Sequence, residues 1–367
     1  MMKTVGIVGG GQLGKMLAEA AKPLGLRMVV LDPTPNCPAA QVADKHVVGD
    51  FRDHDTVVAF AKEADVLTFE IESANAQALE ELVSRGFPVH PTPTTLAIIK
   101  DKLRQKRFLT EHGISVAPFA QVDDAETLGY PYILKARSGG FDGRGNALVE
   151  KKEDLPAAWE KIGNVPAYAE GLVSFDKELA IVAARTTSGE IQVYPLVETI
   201  HKDHICHMVL APAPVNESIV RKAHAVAEKV LQAFDGAGVF GIEMFLVGGD
   251  VLVNEIAPRV HNSGHFSIEG SITSQFENHM RAVAGLPLGS TDMKAPAAVM
   301  INILGGRNGP ATPSGVEEAQ KIPGVGVHMY GKVETRIGRK MGHLTAVGNT
   351  LEEAKAAAEQ AFTLISI

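Results

Sequence analysis

Residues 239–265, VFGIEMFLVGGDVLVNEIAPRVHNSGH, read as two apolar strands joined by a glycine turn and followed by a loop rich in hydrogen-bond donors. If Gly248, Gly249 and Asp250 form a three-residue hairpin loop, Val247 faces Val251, and counting outward sets Glu243 directly opposite Glu255. Opposed residues on one face of a hairpin lie about 5 Å apart at Cβ. Two carboxylates held that close repel, and one of them takes a raised pKa, unless a cation sits between them. Mg2+ suits the arrangement, because it takes oxygens from one or two carboxylates and fills its shell with phosphate oxygens and water. The plainer reading is a pair of glutamates on a solvated hairpin face. Apolar neighbours on both sides of each residue argue against it. Arg259, His261 and Asn262 follow at once, and their donors suit anionic oxygens at such a metal.

Upstream, YILKARSGGFDGRGNALVE (132–150) carries Lys135 on a strand that enters a loop containing Gly139, Gly140, Gly143 and Gly145 and leaves on another strand. Glycine permits positive φ and close approach, so the backbone N–H groups of such a loop can fold over phosphates. It is not a Walker A loop, since GxxxxGK[ST] is absent and the flanks are both strands. A simple hairpin connection is the alternative; Lys135 before the loop and the two carboxylates after it favour a nucleotide. The chain opens on a third glycine motif, GIVGGGQLGKM (6–16). Gly9, Gly11 and Gly14 satisfy G-x-G-x-x-G between the apolar run Val5 to Val8 and a helical stretch from Gln12 to Ala21, and Asp32 ends the second strand, where an NAD enzyme binds ribose. Alone, that motif describes an NAD-dependent oxidoreductase.

A chain of 367 residues is too long for one ordinary core, which predicts two or three domains. A net charge of −8 and a pI near 5.9 argue against a nucleic-acid partner. Cys37 and Cys206 stand far apart, without the spacing of a disulfide framework or zinc site. No apolar stretch approaches the roughly 20 residues of a membrane span, and no secretory signal opens the chain, so a cytoplasmic protein without a membrane partner is expected. Residues 1 to about 95 alternate β-rich runs (TVGIV, RMVVL, KHVV, DVLTF, PVH) with helical stretches, as in a parallel α/β unit, and PTPTTL (91–96) marks its end. A helix, KDKLRQKRFLTEHG, stops at Gly113; from 131 to 210 strands dominate, interrupted by an amphipathic helix at DLPAAWEKIG. The helix SIVRKAHAVAEKVLQAFD precedes the hairpin. After GLPLG near 287, apolar strands (AAVMINIL, GVHMYGK) end in the helix TLEEAKAAAEQAF. The class is therefore α/β followed by α+β, with units expected at 1–98, 99–286 and 287–367.

The order Lys135, GGFDGRG, EGLVSFDKE, GIEMF and NEIAPRVHNSGH resembles the ATP-grasp ligases. More narrowly, NEIAPRVHNSGH, YGKVETRIGRKMGHL and the opening GGGQLGKM are similar to the N5-carboxyaminoimidazole ribonucleotide synthetase family of purine biosynthesis, from the first strand to about residue 348. The resemblance implies an ATP-grasp fold, with a Rossmann-like preATP-grasp domain before it and a small α+β domain after it that completes the substrate site. It implies that Lys102 and Lys135 contact the ATP phosphates, that Gly140, Phe141, Asp142, Gly143, Arg144, Gly145 and Asn146 cover them, and that Glu170, Gly171, Leu172 and Val173 form the edge that reads the adenine, through backbone groups at Gly171 and Val173. Glu178 takes the place of the ribose acceptor, His201 that of a further nucleotide contact, and Asn254 and Glu255 complete the ATP contacts. Glu243 and Glu255 take the Mg2+ roles, for two ions.

The family reaction joins bicarbonate to 5-aminoimidazole ribonucleotide at the expense of ATP, through carboxyphosphate. Arg259, His261 and Asn262 would hold that intermediate, and Asp142 would accept the proton of the amine. Gln12, Leu13 and Glu70 at the N-terminal turn, with Lys332, Arg339 and Lys340, would bind the imidazole nucleotide; in this family the glycine turn holds no NAD. Phe141 departs from the family's usual Tyr and removes a hydroxyl. The family also implies a homodimer. A formate-using glycinamide ribonucleotide transformylase shares the turn and the metal hairpin, but HNSGH and GRKMGHL favour the carboxylating family. A noncatalytic nucleotide-binding regulator is the remaining alternative.

Overall fold

The computed structural model describes residues 2–140 and 145–367. At the N-terminus β1 (Thr4–Val8), α1 (Gln12–Ala21), β2 (Arg27–Asp32), β3 (Lys45–Val48), α2 (His54–Phe60), β4 (Val66–Phe69) and α3 (Ala76–Ser84) alternate. Their strands form a parallel sheet ordered β3-β2-β1-β4. Such a sheet is covered on both faces, and β1, β2 and β4 are accordingly mostly apolar and buried along almost their whole length. PVH, expected as a further strand, supplies only a bridge from Val89 to Leu67. The expected terminator PTPTTL instead starts a helix: the Thr92 hydroxyl caps α4 (Pro93–Lys100), and Pro93 sits in the first turn, where its missing N–H costs nothing. Next comes α5 (Lys102–Glu111), capped by the Asp101 carboxylate and ended by Gly113 at φ +63°.

A small antiparallel sheet follows, ordered β5-β8-β6-β7, from β5 (Phe119–Ala120), β6 (Tyr132–Ala136), β7 (Asn146–Val149), α6 (Leu155–Lys161) and β8 (Ala167–Gly171). The remaining chain builds a nine-stranded antiparallel sheet. It uses β9 (Lys177–Arg185), β10 (Ile191–Val193), β11 (Val197–Lys202), β12 (Ile205–Ala211), α7 (Glu217–Ala233), β13 (Gly238–Val247), β14 (Asp250–Ala257), α8 (Ser267–Gly270), α9 (Gln275–Ala284) and β15 (Ala297–Leu304). Then come β16 (Gly309–Pro310), α10 (Val316–Gln320), β17 (Val325–Met329), β18 (Glu334–Thr335), β19 (Lys340–Gly348) and α11 (Leu351–Leu364). The order is β14-β13-β9-β11-β12-β15-β19-β17, with β10 on β9 and β16 paired to β18 apart from it. Because β12 pairs with β15, the sheet runs straight through residue 287. The expected division there is a division of the chain, not of the sheet.

Alternation gives this sheet two different faces. Leu179, Ile181, Ile242 and Met244 pack against Ile219, Ala223, Ala227 and Val230 of α7, whose apolar residues recur every three or four positions. Val299, Ile301, Leu344 and Ala346 pack likewise against Ala354, Ala358 and Ala361 of α11. The opposite face carries Glu178, His201, Glu243, Glu255, Asn302 and His343. Part of that face is covered too, where Val182, Ala184 and Val239 pack against Phe276 and Met280 of α9, and the half-buried carboxylates Glu178, Glu243 and Glu255 mark the stretch left for chemistry.

Candidate active site

The hairpin of β13 and β14 turns on two residues, not three: Val247 pairs with Asp250, and Gly248 and Gly249 hold φ of +55° and +92°. Tight hairpins demand positive φ at both central positions. Regular pairing from this turn would set Glu243 opposite Asn254. A β-bulge at Asn254 adds one residue to β14, and Glu243 comes to face Glu255 after all. The expected juxtaposition is present, produced by the bulge and not by the loop.

Each carboxylate is already compensated. Glu255 Oε2 lies 2.7 Å from Lys102 Nζ, Glu243 Oε1 lies 3.3 Å from His261 Nε2, and Asn254 Nδ2 donates to Glu243 Oε2 at 3.3 Å. Burial works to raise the Glu243 pKa, but the hydrogen bond and charge of His261, with His201 and Lys102, hold it below the ordinary carboxylate range. Two carboxyl groups side by side on one face are a donor set that fits Mg2+, with phosphate and water left to complete the shell. Among the described residues no group of three or more His, Cys, Asp or Glu could hold a metal, so a softer, fully protein-ligated ion does not fit.

Lys102 is tied by its N–H to Arg137 O at 2.8 Å, just past the strand that carries Lys135. Lys135 Nζ is 2.5 Å from Glu170 Oε1, whose second oxygen lies 2.9 Å from Lys106 Nζ and accepts from Tyr168 Oη at 3.2 Å. The Glu170 side chain is thus the hub of a buried Lys–Glu–Lys triad. Desolvation would raise its pKa, but the two ammonium groups outweigh it and hold it low. Gly171 donates its N–H to Pro118 O at 2.8 Å, which removes that donor from the expected adenine edge and leaves Leu172 and Val173 to it. Glu178 Oε2 is 2.7 Å from His201 Nδ1, and Phe245 stacks on Phe175 at 4.8 Å, offering an apolar surface beside that pair. Gly140, Gly145 and Asn146 flank the glycine loop, with Asn146 opposite Lys135 in the ladder. Phe141, Asp142, Gly143 and Arg144 lie outside the described residues.

Of the three expected residues in the loop after β14, His261 reaches a hairpin carboxylate, Arg259 turns to Glu72, and Asn262 turns to Asn302. Arg259 donates from Nε to Glu72 Oε1 at 2.8 Å, with a second guanidinium nitrogen at 2.7 Å. His261 bonds Ser263 through Nδ1 at 2.8 Å while its Nε2 faces Glu243. Asn262 exchanges two amide hydrogen bonds with Asn302 on β15, at 2.9 and 2.7 Å. Gly241 makes the approach possible, since a Cβ there would stand 2.3 Å from His261 Cβ.

At the N-terminal turn the glycine N–H groups are spent on the chain itself. Gly10 N–H donates to Asp32 Oδ2 and Gly11 N–H to Glu70 Oε1, both at 2.8 Å. In a dinucleotide enzyme those groups face the pyrophosphate and the acidic residue faces ribose. Here Asp32 also accepts from Thr34 N–H, so the NAD reading fails on geometry. Gln12 and Leu13 begin α1 beside Glu70. Lys332 donates to Lys340 O at 2.6 Å, its ammonium 5.5 Å above the Tyr330 ring, and Arg339 donates to Glu334 O at 2.7 Å. Burial foremost, then the charge of Arg339, pushes the Lys332 pKa down to about 8, against the pull of Glu70. The charge of Lys340 is felt at Lys332 on one side and at His201 on the other. Lys106, Tyr168, Glu72 and Phe245 were not among the expected residues, although Lys106 stands one helical turn after Lys102 and Glu72 two residues after Glu70.

Three family models match along the chain: a ribonucleotide synthetase preATP-grasp domain over 2–100, an ATP-grasp domain over 107–276, and a phosphoribosylaminoimidazole carboxylase C-terminal domain over 298–357. A phosphoribosylaminoimidazole carboxylase of Ogataea methanolica is 42% identical over 96% of this chain, which spans 68% of that protein. The N5-carboxyaminoimidazole ribonucleotide synthase of Brucella melitensis is 40% identical over 94% of this chain and 96% of its own length. The chain belongs to the N5-carboxyaminoimidazole ribonucleotide synthase family. A crystal structure of the synthetase from Thermotoga maritima superposes with a TM-score of 0.90 at 44% identity, covering 100% of this chain and 99% of that one. The Aspergillus clavatus synthase, solved with ADP and 5-aminoimidazole ribonucleotide, gives 0.91 at 39% identity, covering 99% and 98%. The continuous sheet carries Glu178, His201, Glu243 and Glu255 on one face and runs on into β19, which starts at Lys340.

Proposed function

We infer that this chain carboxylates 5-aminoimidazole ribonucleotide at the amine with ATP, releasing ADP and phosphate, in purine biosynthesis. The carrying observation is the bulged hairpin that opposes Glu243 and Glu255 within reach of Lys102, His261 and Asn254. Bicarbonate supplies the carbon. One of its oxygens attacks the γ-phosphorus of ATP, the bond to the β–γ bridging oxygen breaks, and ADP leaves with that electron pair. The amine then attacks the carbon of carboxyphosphate, or of the CO2 it releases; the carbon–oxygen bond to phosphate breaks, and the amine loses a proton.

Phosphoryl transfer asks for positioning and for positive charge on the moving oxygens. Lys102 and Lys135 answer that. Mg2+, as two ions on Glu243 and Glu255, would supply the remaining charge on the phosphates. Arg259, His261 and Asn262 hold the carboxyphosphate, Arg259 kept in aim by Glu72. Glu70 takes the ribose hydroxyls of the second substrate, Gln12 and Leu13 line its edge, and Lys332, Arg339 and Lys340 take its phosphate, a dianion well matched by Arg and Lys together. Asp142 is our candidate acceptor for the amine's proton. We take the units as 1–98, 99–286 and 287–367, and the protein as a cytoplasmic homodimer, which limited proteolysis and sedimentation test.

The decisive assay is ADP release with aminoimidazole ribonucleotide, with and without bicarbonate, and with formate in its place. Release that needs bicarbonate is expected. Release that needs formate, or that ignores the imidazole nucleotide, overturns the reading.

A further inference from the structure

Strand β14, which carries Glu255, is the outermost strand of its sheet, and beyond a single parallel bridge from Val253 to Val116 its outer edge has no strand beside it. A bulge on such an edge interrupts the ladder on its inner side as well. Consecutive side chains of α5 hold the backbone on either side of it. Val253 N–H donates to Ser115 O at 2.8 Å, and Val253 O accepts from Lys106 Nζ at 3.3 Å. On the other side of Asn254 and Glu255, Ile256 N–H donates to Gln105 Oε1 at 3.1 Å and Ile256 O accepts from Gln105 Nε2 at 3.3 Å. Gln105 is only 1% exposed. Its planar amide presents an acceptor and a donor together, the same pair that a neighbouring strand residue presents.

The device recurs five residues on, at His261. Gln275, fully buried at the start of α9, accepts from His261 N–H at 2.9 Å and donates to His261 O at 2.7 Å. The same Nε2 lies 3.0 Å from His265 Nδ1. Gly264 leaves the room for it, as a Cβ there would stand 2.5 Å from Gln275 Oε1. Neither glutamine reaches a carboxylate of the hairpin. Each instead fixes the backbone of a segment whose side chains do the chemistry, and a shift of about 1 Å in such a segment is enough to cost rate.

We propose that Gln105 and Gln275 are positioning residues, acting as surrogate strand neighbours that clamp the two ends of the segment Glu255–Asn262: Gln105 sets Glu255 for the metal, and Gln275 sets His261 and Asn262 for the carboxyl group. The proposal rests on the metal and anion roles inferred above. Its test uses the full-length protein in Gln105→Leu, Gln275→Leu and Glu255→Gln forms, with Mn2+ binding in the presence of ADP read by electron paramagnetic resonance, alongside steady-state KM values and urea unfolding. Gln105→Leu is expected to weaken Mn2+ binding about tenfold, the low end for losing a group that orients a metal ligand, with the KM for bicarbonate within twofold. Gln275→Leu is expected to give the reverse pattern: a bicarbonate KM raised about tenfold and Mn2+ binding within twofold. Loss of urea stability in both variants with neither binding constant moved overturns the proposal and leaves the glutamines merely structural. Mn2+ binding that survives Glu255→Gln unchanged would instead remove the metal reading beneath it. Should Gln105→Leu fail to fold, Gln105→Glu keeps the acceptor for Ile256 N–H and is expected to weaken Mn2+ binding less than tenfold but more than twofold; an unchanged constant there counts against the clamp.

Discussion

Glu243 and Glu255 stand side by side within reach of Lys102, His261 and Asn254, so turning one into an amide removes an oxygen ligand from the metal site and takes the partner from a cation. Glu255→Gln is expected to lower ADP formation by at least about 100-fold, the scale of losing a preorganised electrostatic group. The melting temperature should move by only a few degrees, since Glu255 is partly exposed; turnover near that of the parent would remove it from the metal site. Lys332 makes a separate prediction through pH. Its ammonium titrates near 8, pushed down mainly by burial and by Arg339, so it is charged below that pH and neutral above it. The KM for aminoimidazole ribonucleotide should therefore climb as pH passes 8 while the KM for ATP stays level. Lys332→Arg should flatten that climb, because a guanidinium keeps its proton throughout. What was legible at this scale were residue types whose chemistry announces itself: Glu, Lys and Arg in loops beside glycine. Lys106, Gln105 and Gln275 were not, because nothing in a side chain's identity says that a fold will bury it against a particular backbone.

Elements were legible where periodicity is strong and illegible where one residue of register decides the outcome. The parallel strands β1, β2 and β4, the long helix α7 and the hairpin of β13 and β14 all follow from apolar spacing. The opposition of Glu243 and Glu255 followed from a three-residue loop that does not exist; a two-residue turn and a bulge each shift the count by one, and the shifts compensate. PTPTTL reads as a break because proline and threonine are common in loops, yet Thr-Pro is also a helix start. On α5, Lys102 and Lys106 stand one turn apart; Lys102 reaches Glu255 on β14, while Lys106 reaches both Glu170 on β8 and Val253 O on β14. The buried triad allows a comparison of two lesions. Lys106→Met leaves Glu170 paired with Lys135, so its cost should stay below the roughly 3–5 kcal/mol of an orphaned buried charge, at about 2 kcal/mol. Glu170→Gln leaves two ammonium groups facing each other without their carboxylate and should cost more. Urea denaturation ranks the two, and the opposite order would mean that Glu170 is not the hub.

Across the whole molecule, the parallel sheet and the nine-stranded sheet are tied by a contact that no local pattern could have revealed, because its members are up to 211 positions apart. His279 on α9 is fully buried, accepts from Val239 N–H of β13 at 3.1 Å through Nδ1, and lies 2.8 Å from Thr68 Oγ1 of β4 through Nε2. Since Nδ1 accepts, Nε2 carries the proton and donates to Thr68. That tautomer is neutral, and burial, aided by the charge of His90, pushes its pKa down to about 3. An unfolded imidazole titrates near 6.5. Between those values the unfolded chain binds the proton and the folded one does not, so the contribution of His279 is complete above about pH 6.5 and shrinks as pH falls toward 3. At pH 5 the loss should be about 2 kcal/mol. His265 and His343, buried and likewise pushed down, add to the same slope, so the informative quantity is a difference between variants. His279→Gln keeps one acceptor and one donor but cannot titrate; it should be less stable than the parent at pH 7.5 and should lose about 2 kcal/mol less than the parent does between pH 7.5 and 5. Urea midpoints at the two pH values measure this, and parallel losses in both proteins would mean that the imidazole joining the sheets is not held neutral by burial.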